Sequence, residues 1–466
     1  MKCCETNAGV SGCITKAKSA QDNPVDEVLP LNKLIIYGVQ HVCTFYAAAV
    51  IVPIILANAL NLSRNDLLHL INADLFTCGI ASLIQSVGIG KIGVRLTLLQ
   101  GVTFTAMVPM VTIGVAAGGG IEGLREIYGA ILIAGLFAFV AGKYFSKIVR
   151  FFPPVVMGST ILIVGLALLP IAANDIVGGQ SPSIMQSSVN IRNIYYALGT
   201  FFLIVILQRV LRGFFSTIAV LLGLLLCSGI AMMLGDMKVH DYNALPWVAY
   251  TQPFYFGLPV FHIAPILSMT VVMIIAMIET SAGVYAIGSI VKRDIHADDI
   301  ASAIQADGLA TVLGSIFNSF PYTCYAENVG LVRMTGVRSR WVIVSASVIM
   351  IILSSFPVSA ALVASIPAPV LGGAALAMFA TVAMIGVQIL SQVDFDDHSN
   401  IIIAGASVAL SMLVTAQPHI TDSLPSWVRI VFGSGITVGA LTAIFLSLLF
   451  NHVLPPSKSD KNLASN

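Results

Sequence analysis

Twelve stretches of about 20 mostly apolar residues run through this 466-residue chain, each long enough to cross a bilayer as a helix. They begin near Leu34, Leu67, Ile131, Val155, Ile194, Ser216, Ala264, Ala301, Trp341, Val370, Ile401 and Val431. Only 10% of the residues are charged and the mean hydropathy is +0.93, whereas a soluble chain carries about 25% charged residues. Lipid is the solvent that suits such a sequence. The expected fold class is an all-α polytopic membrane protein. A net charge of +1 excludes a nucleic-acid partner, which requires a clustered surplus of Lys and Arg.

Two further apolar segments, Leu98 to Val115 and Asn318 to Thr335, are interrupted by Pro, Gly and polar residues. Counting both predicts 14 transmembrane spans with the two termini on one side. The first 33 residues are polar and lack the apolar core of a signal peptide, so they are expected to stay in the cytoplasm. With that orientation the outer segments hold only Arg64, Arg125, Arg192, Lys238 and Arg429 of the 23 Lys and Arg residues. The remainder fall on the cytoplasmic side, as the positive-inside rule requires. The expectation is a multi-pass protein of the cell membrane, the inner membrane if bacterial, with both termini cytoplasmic. The seven cysteines show no metal-ligand spacing and read as reduced thiols.

The spans divide into two matching halves. Pro153-Pro154-Val155-Val156-Met157-Gly158 opens span 5, and Ala368-Pro369-Val370-Leu371-Gly372-Gly373 opens span 12. The interrupted segments are spans 3 and 10, again seven apart. Because seven is odd, the second half inserts upside down, giving two inverted 7-span repeats. The expected organisation is a tail over 1–33, a first repeat over 34–235, an extracytoplasmic loop over 236–262, a second repeat over 263–451 and a tail over 452–466. In transporters of this plan, broken helices meet at the membrane midplane and form the binding site.

Acidic residues inside spans are rare because each costs roughly 2.5 to 3.5 kcal/mol on insertion scales. Glu279 lies in span 8, Asp307 early in span 9, and Glu327 in the interrupted segment of span 10. A carboxyl withdrawn from water favours its neutral form, which suits it to carry a proton through the membrane. His41, after Gln40 in span 1, is either a packed hydrogen-bond donor or a group that orients a carboxylate. Around Pro321 the sequence predicts extended backbone before a short helix, whose N-terminal N–H groups would aim at the cavity. The counterpart segment, Gln100 to Pro109, offers Phe104 as a flat surface for a planar ring; base–aromatic stacking is worth about 1–3 kcal/mol. Gly330 is expected to allow close backbone approach.

The run Glu327-Asn328-Val329-Gly330-Leu331-Val332-Arg333-Met334-Thr335 resembles the signature of the nucleobase–ascorbate transporter family (nucleobase–cation symporter 2). That signature is Gln, Glu or Pro, then Asn, any residue, Gly, four more residues and Thr. The resemblance extends over Gln40-His41, Glu279, Asp307-Gly308-Leu309, Asn318-Ser319-Phe320-Pro321 and Gly336-Val337-Arg338-Ser339-Arg340. It implies a core domain moving against a gate domain, short extended segments in spans 3 and 10, and a homodimer. It implies that Glu279 and Glu327 bind opposite edges of a nucleobase, with Ala326 alongside and Phe104 stacked on the ring. Asp307, His41, Asn328, Gly330 and Gln100 would support the site or the coupling of a proton, the only coupling ion; no other cofactor and no metal are expected.

Xanthine and urate members of the family usually have Gln where this chain has Glu327, and uracil members usually have Glu. The uracil branch also has a His one turn after the span 8 Glu, where this chain has Gly283. With Ile316 to Pro321 and Thr335 to Arg340 resembling the xanthine/urate branch, the expected function is proton-coupled uptake of xanthine or uric acid. A uracil-type symporter is the alternative. An anion exchanger or channel of the same plan is more distant, because Glu279 and Glu327 would repel its substrate. No nucleophile elbow, phosphate loop or metal spacing supports an enzyme. Asp394-Phe395-Asp396-Asp397-His398 reads as a solvated loop. The orientation predicts that a fluorescent protein fused after Asn466 fluoresces, while alkaline phosphatase fused there stays inactive; active phosphatase would place that end outside.

Overall fold

The structure is a computed structural model that describes residues 24–148, 152–177, 190–237, 246–421 and 423–453. Most of the two tails, including Cys3, Cys4 and Cys13, lies outside the described residues, as does Lys238. The first half comprises α1 (Leu31–Ala49), α2 (Ile51–Ala59), α3 (Arg64–Val87), β1 (Gln100–Val102) and α4 (Met107–Ala116). It continues through α5 (Gly120–Ile148), α6 (Pro154–Ala167), α7 (Leu169–Ile176), α8 (Ile191–Val210), α9 (Phe214–Thr217) and α10 (Ala219–Met233). The second half opens with α11 (Ile263–Val291), α12 (Ala297–Ile316), β2 (Tyr322–Cys324), α13 (Ala326–Thr335) and α14 (Trp341–Ser354). It closes with α15 (Pro357–Val363), α16 (Ala368–Leu390), α17 (His398–Ala416), α18 (Ser426–Phe432) and α19 (Gly435–Leu448).

Eight of these helices, counting α1–α2 and α6–α7 as one each, are long and apolar enough to cross a membrane, or nine if the pair α14–α15, bent by 89°, forms one crossing. The protein is therefore a multi-pass membrane protein. The fourteen crossings expected from the sequence include short and interrupted segments that length and apolarity alone do not establish. α12 is not among the eight, and it carries Asp298, Asp299 and Asp307. It also starts four residues before the expected Ala301, because the His296 N–H donates to Asp299 Oδ2 at 3.0 Å across the first turn. Asp307 consequently stands mid-helix rather than early.

The packing partners repeat between the halves. α3 packs on α14 and α5 on α12, pairs that exchange when span 2 is swapped for span 9 and span 4 for span 11. α6 packs on α16, its own counterpart. Gly158 faces Leu390, Gly165 faces Ala383 and Gly386 faces Leu162, so these two helices run antiparallel in close contact. One packed group contains α1 to α5 and α11 to α15, the other α6 to α10, α16, α17 and α19; α18 lies between them and packs mainly on α11. On the periphery, α8 leaves Tyr195, Leu198, Phe202 and Ile206 exposed, a surface suited to lipid tails rather than water. Asp394 to Asp397 form an exposed turn in which Asp397 caps α17 by accepting from Ser399 N at 2.9 Å.

At the centre of the first group β1 and β2 pair antiparallel, with Gln100 opposite Cys324, Gly101 opposite Thr323 and Val102 opposite Tyr322. Thr103 N donates to Pro321 O and Tyr325 N to Leu99 O, each at 3.0 Å, extending the ladder at both ends. Each strand leads into a ten-residue helix, α4 or α13, so the two broken segments enter from opposite directions. A side chain at Gly101 would collide with the rings of Phe45 and Tyr325. Along the α5–α12 seam a Cβ on Gly135 would lie 2.9 Å from the Val312 backbone nitrogen. Gly135→Val is expected to cost about 1–3 kcal/mol, read as a lower melting temperature in detergent. Gly229→Val, where a Cβ meets nothing within 4 Å, should leave it unchanged.

Candidate functional site

Glu279 projects half-buried from the middle of α11 toward the segment that follows β1. Thr103 Oγ1 donates to its Oε2 at 3.1 Å, and Thr105 Oγ1 donates to its Oε1 at 2.5 Å. Thr103 also accepts from Thr105 N at 3.2 Å and so starts the 3-10 turn Phe104–Ala106. One short stretch of chain thus supplies a donor to each carboxyl oxygen and sets Phe104 between the two hydroxyls.

Asp307 of α12 is buried and meets the residue next to Glu279. Thr280, the residue after Glu279, donates a short hydrogen bond to Asp307 Oδ2 and shares one of 2.9 Å with Thr323 of β2. Cys324 N donates to Thr280 Oγ1 at 3.3 Å. Gln100 is held by its backbone N–H to Ser82 Oγ at 2.9 Å and directs its side-chain amide to Cys324 Sγ at 3.4 Å. Asp307 Oδ1 and Gln100 Oε1 are buried without a hydrogen-bond partner.

Glu327 occupies the first turn of α13, where the helix dipole favours negative charge. Its Oε1 is buried without a hydrogen-bond partner. Ala326 is the first residue of the same helix. Asn328, one residue further on, donates from Nδ2 to Thr97 O at 2.9 Å. His41 and Asn328 face each other across a cavity of about 10 Å³ that Tyr325, Phe45, Thr44, Leu99 and Leu331 also line. His41 Nδ1, Asn328 Oδ1 and Tyr325 Oη carry no partner there.

The fold therefore gathers Glu279, Asp307, Glu327, Asn328, His41, Gln100 and Phe104 around the strand crossing. Two expectations change. A Cβ on Gly330 would meet nothing within 4 Å, so its α13 face is open and the close approach falls to Gly101 instead. Phe104 is only 7% exposed, with Phe379 of α16 edge-on at 5.5 Å and Tyr325 tilted at 6.3 Å. Its ring joins the two packed groups rather than standing free.

Several residues at the site carry no distinguishing mark in the sequence. Thr103, Thr105, Thr280 and Thr323 are hydroxyls in apolar runs, and only the spacing of Thr103 and Thr105, which places them on one face of extended backbone, offers a hint. Buried acids also lie outside the three singled out above: Asp74 in α3 and Asp175 in α7. Among the described residues no group of three or more His, Cys, Asp and Glu side chains is placed to hold a metal ion.

A family model described as "Permease family", of the xanthine and uric acid permease type, matches residues 32–420. The chain belongs to this family. It is 39% identical over 434 residues to the nucleobase transporter PlUacP of Paenibacillus larvae, covering 93% of this chain and 98% of that protein. It is 37% identical to the xanthine permease of Bacillus subtilis, covering 90% and 94%. It is also 37% identical to the uric acid transporter UacT of Escherichia coli, covering 96% and 94%. Among solved structures, the transmembrane domain of the cyanobacterial bicarbonate transporter BicA superposes with a TM-score of 0.60 at 16% identity, over 91% of this chain and 99% of that one. The murine anion transporter Slc26a9 gives 0.61 at 13% identity, over 91% and 69%. At such identities the likeness concerns the fold, which is that of inverted-repeat transporters. The chain is a membrane permease and not an enzyme.

Thr105→Val removes the donor on Glu279 Oε1 and should lower stability by about 1–3 kcal/mol, the cost of a buried acceptor left unmet. Thr105→Ser should recover most of it. Thermal unfolding of the purified variants checks both; an unchanged melting temperature for Thr105→Val would contradict the contact.

Proposed function

We propose that this permease carries a purine base, xanthine or uric acid, across the cell membrane together with a proton. The observation that carries the reading is the placement of Glu279 and Glu327. One stands mid-helix in α11 and the other at the start of α13, the helix that follows β2. An ionised carboxylate only accepts hydrogen bonds, so two of them near the strand crossing suit a solute with N–H groups on opposite edges. Xanthine and uric acid are flat and have such edges. The names of the curated relatives, a nucleobase transporter, a xanthine permease and a uric acid transporter, support the same substrate class.

The position of Gly283 favours purine over uracil. The uracil branch carries a histidine there, one turn after its glutamate, whereas this chain has a glycine whose added Cβ would lie 3.2 Å from Cys324 Cβ. An anion substrate, despite the fold shared with bicarbonate and anion transporters, would meet Glu279, Glu327 and Asp307 without a compensating Lys or Arg among the hydrogen bonds described above.

In the proposed cycle a proton from outside neutralises Asp307 or Glu279, and the base enters between Glu279 and Glu327 with its ring against Phe104. Because Phe379 covers Phe104 in this structure, α16 and its group must shift relative to the strand crossing to admit the ring. We assign α1 to α5 with α11 to α15 as the core domain and the remaining helices as the gate, with fourteen spans in all, cytoplasmic termini and a homodimeric assembly. His41, Asn328, Gln100 and Asp307 hold the carboxyls and the proton path, and Ala326 offers backbone beside Glu327.

Uptake of labelled xanthine, urate and uracil, with and without a proton uncoupler, tests the reading. Purine uptake should collapse with the uncoupler and disappear in Glu279→Gln. Uncoupler-insensitive transport by that variant would remove the proton assignment. Glu327→Gln, which restores the residue usual in the xanthine/urate branch, should retain purine uptake; its loss would count against that placement.

A further inference from the structure

A second acidic centre lies on the opposite side of the crossing strand from Glu279 and Asp307. Asp74 of α3 is 1% exposed and takes part in no ion pair among the described residues. Its Oδ1 accepts from Tyr322 Oη at 2.9 Å, from Ser319 Oγ at 3.0 Å and from Cys78 Sγ at 3.6 Å. Ser319 Oγ and Tyr322 Oη are themselves 2.6 Å apart. Tyr322 and Ser319 are both fully buried.

The geometry follows from strand alternation. Successive residues of β2 point to opposite faces. Tyr322 and Cys324 turn toward α3, where Asp74, Cys78 and Gln85 receive them. Thr323 turns toward α11, where it meets Thr280 and through it Asp307. A three-residue strand is thus gripped from both sides, by one carboxyl directly and by another through a threonine. Sliding the strand along its axis to break the first grip would break the second, because the two contacts sit on adjacent residues.

We infer that Asp74 is a positioning residue: by collecting the Tyr322 and Ser319 hydroxyls on one oxygen it fixes β2 against α3 and so keeps Thr323, Thr280 and Asp307 in register. Its part in transport rests on the function proposed above, but the positioning itself does not. Each hydroxyl has one proton, so with their oxygens 2.6 Å apart one donates to the other and the other to Asp74 Oδ1; a shared acceptor oxygen, rather than a charge, is the essential feature. Asparagine keeps that oxygen and leucine does not.

Hydrogen exchange of the purified full chain in detergent tests this without any substrate. Tyr322 N donates to Thr311 Oγ1 at 3.1 Å and Cys324 N to Thr280 Oγ1, so their amides report on strand position. In Asp74→Leu the peptide spanning 320–325 should exchange about tenfold faster while peptides in α17 are unchanged. Asp74→Asn should stay within about twofold of the parent, and Tyr322→Phe should reproduce the Asp74→Leu increase, with the double variant no faster than either single one. Should Asp74→Leu not fold, Tyr322→Phe decides the question alone. Unchanged exchange at 320–325, an equal increase across α17, or an Asp74→Asn effect as large as Asp74→Leu would overturn the inference. In uptake, Tyr322→Phe should lower the maximal rate about tenfold with KM within about twofold. If the parent chain moves no purine, the proposed function fails while the exchange result still stands or falls on its own.

Discussion

Extended backbone at membrane depth survives only if every N–H and C=O finds a partner inside the protein. Here that requirement is met by two strands of three residues, one from each half of the chain, which pair with each other and give their outward N–H groups at Gln100, Tyr322 and Cys324 to Ser82, Thr311 and Thr280. Neither broken segment is stable alone. Their pairing holds the two halves in one register and plants α4 and α13 with their N-terminal ends, uncapped by side chains, near the middle of the packed group. Around the crossing the neighbouring helices place Asp74, Glu279 and Asp307, and α13 itself contributes Glu327.

Keeping four carboxyls in such a place is expensive, and the structure offsets the cost with hydroxyls instead of cations. Thr103 and Thr105 serve Glu279, Thr280 serves Asp307, and Ser319 with Tyr322 serves Asp74. A neutral donor stabilises a carboxylate without cancelling its charge, so the site stays able to accept N–H groups from a solute or a proton from the membrane surface. Glu327 is the exception: one of its oxygens is buried without a donor. In the proposed cycle that unmet oxygen is where the substrate makes its own contribution.

Much of this architecture could be read from the residues in order. Apolar runs located the helices, and Pro and Gly inside two of them marked the places where helix gives way to strand. The matched Pro-rich starts of α6 and α16 foretold that the halves correspond, and the structure adds that these helices pack on each other. What could not be read depends on contacts between distant segments. The threonines are indistinguishable from ordinary membrane-helix threonines until Glu279 and Asp307 are brought against them. Asp74 was hidden inside a long apolar helix, and its role appears only when Tyr322 crosses over it. Asp307 was misplaced within its helix because the cap at His296 lies outside the apolar run. Phe104 was expected to present a free face, whereas Phe379 comes from a helix of the other packed group, 275 positions later in the chain.

The central claim is that a planar base lodges between two acidic side chains at the strand crossing. A structure of the full chain with bound xanthine addresses it most directly. The account predicts the ring against Phe104, with Phe379 displaced and N–H edges within hydrogen-bond distance of Glu279 and Glu327. Ligand density away from β1, β2 and the middle of α11 would contradict it.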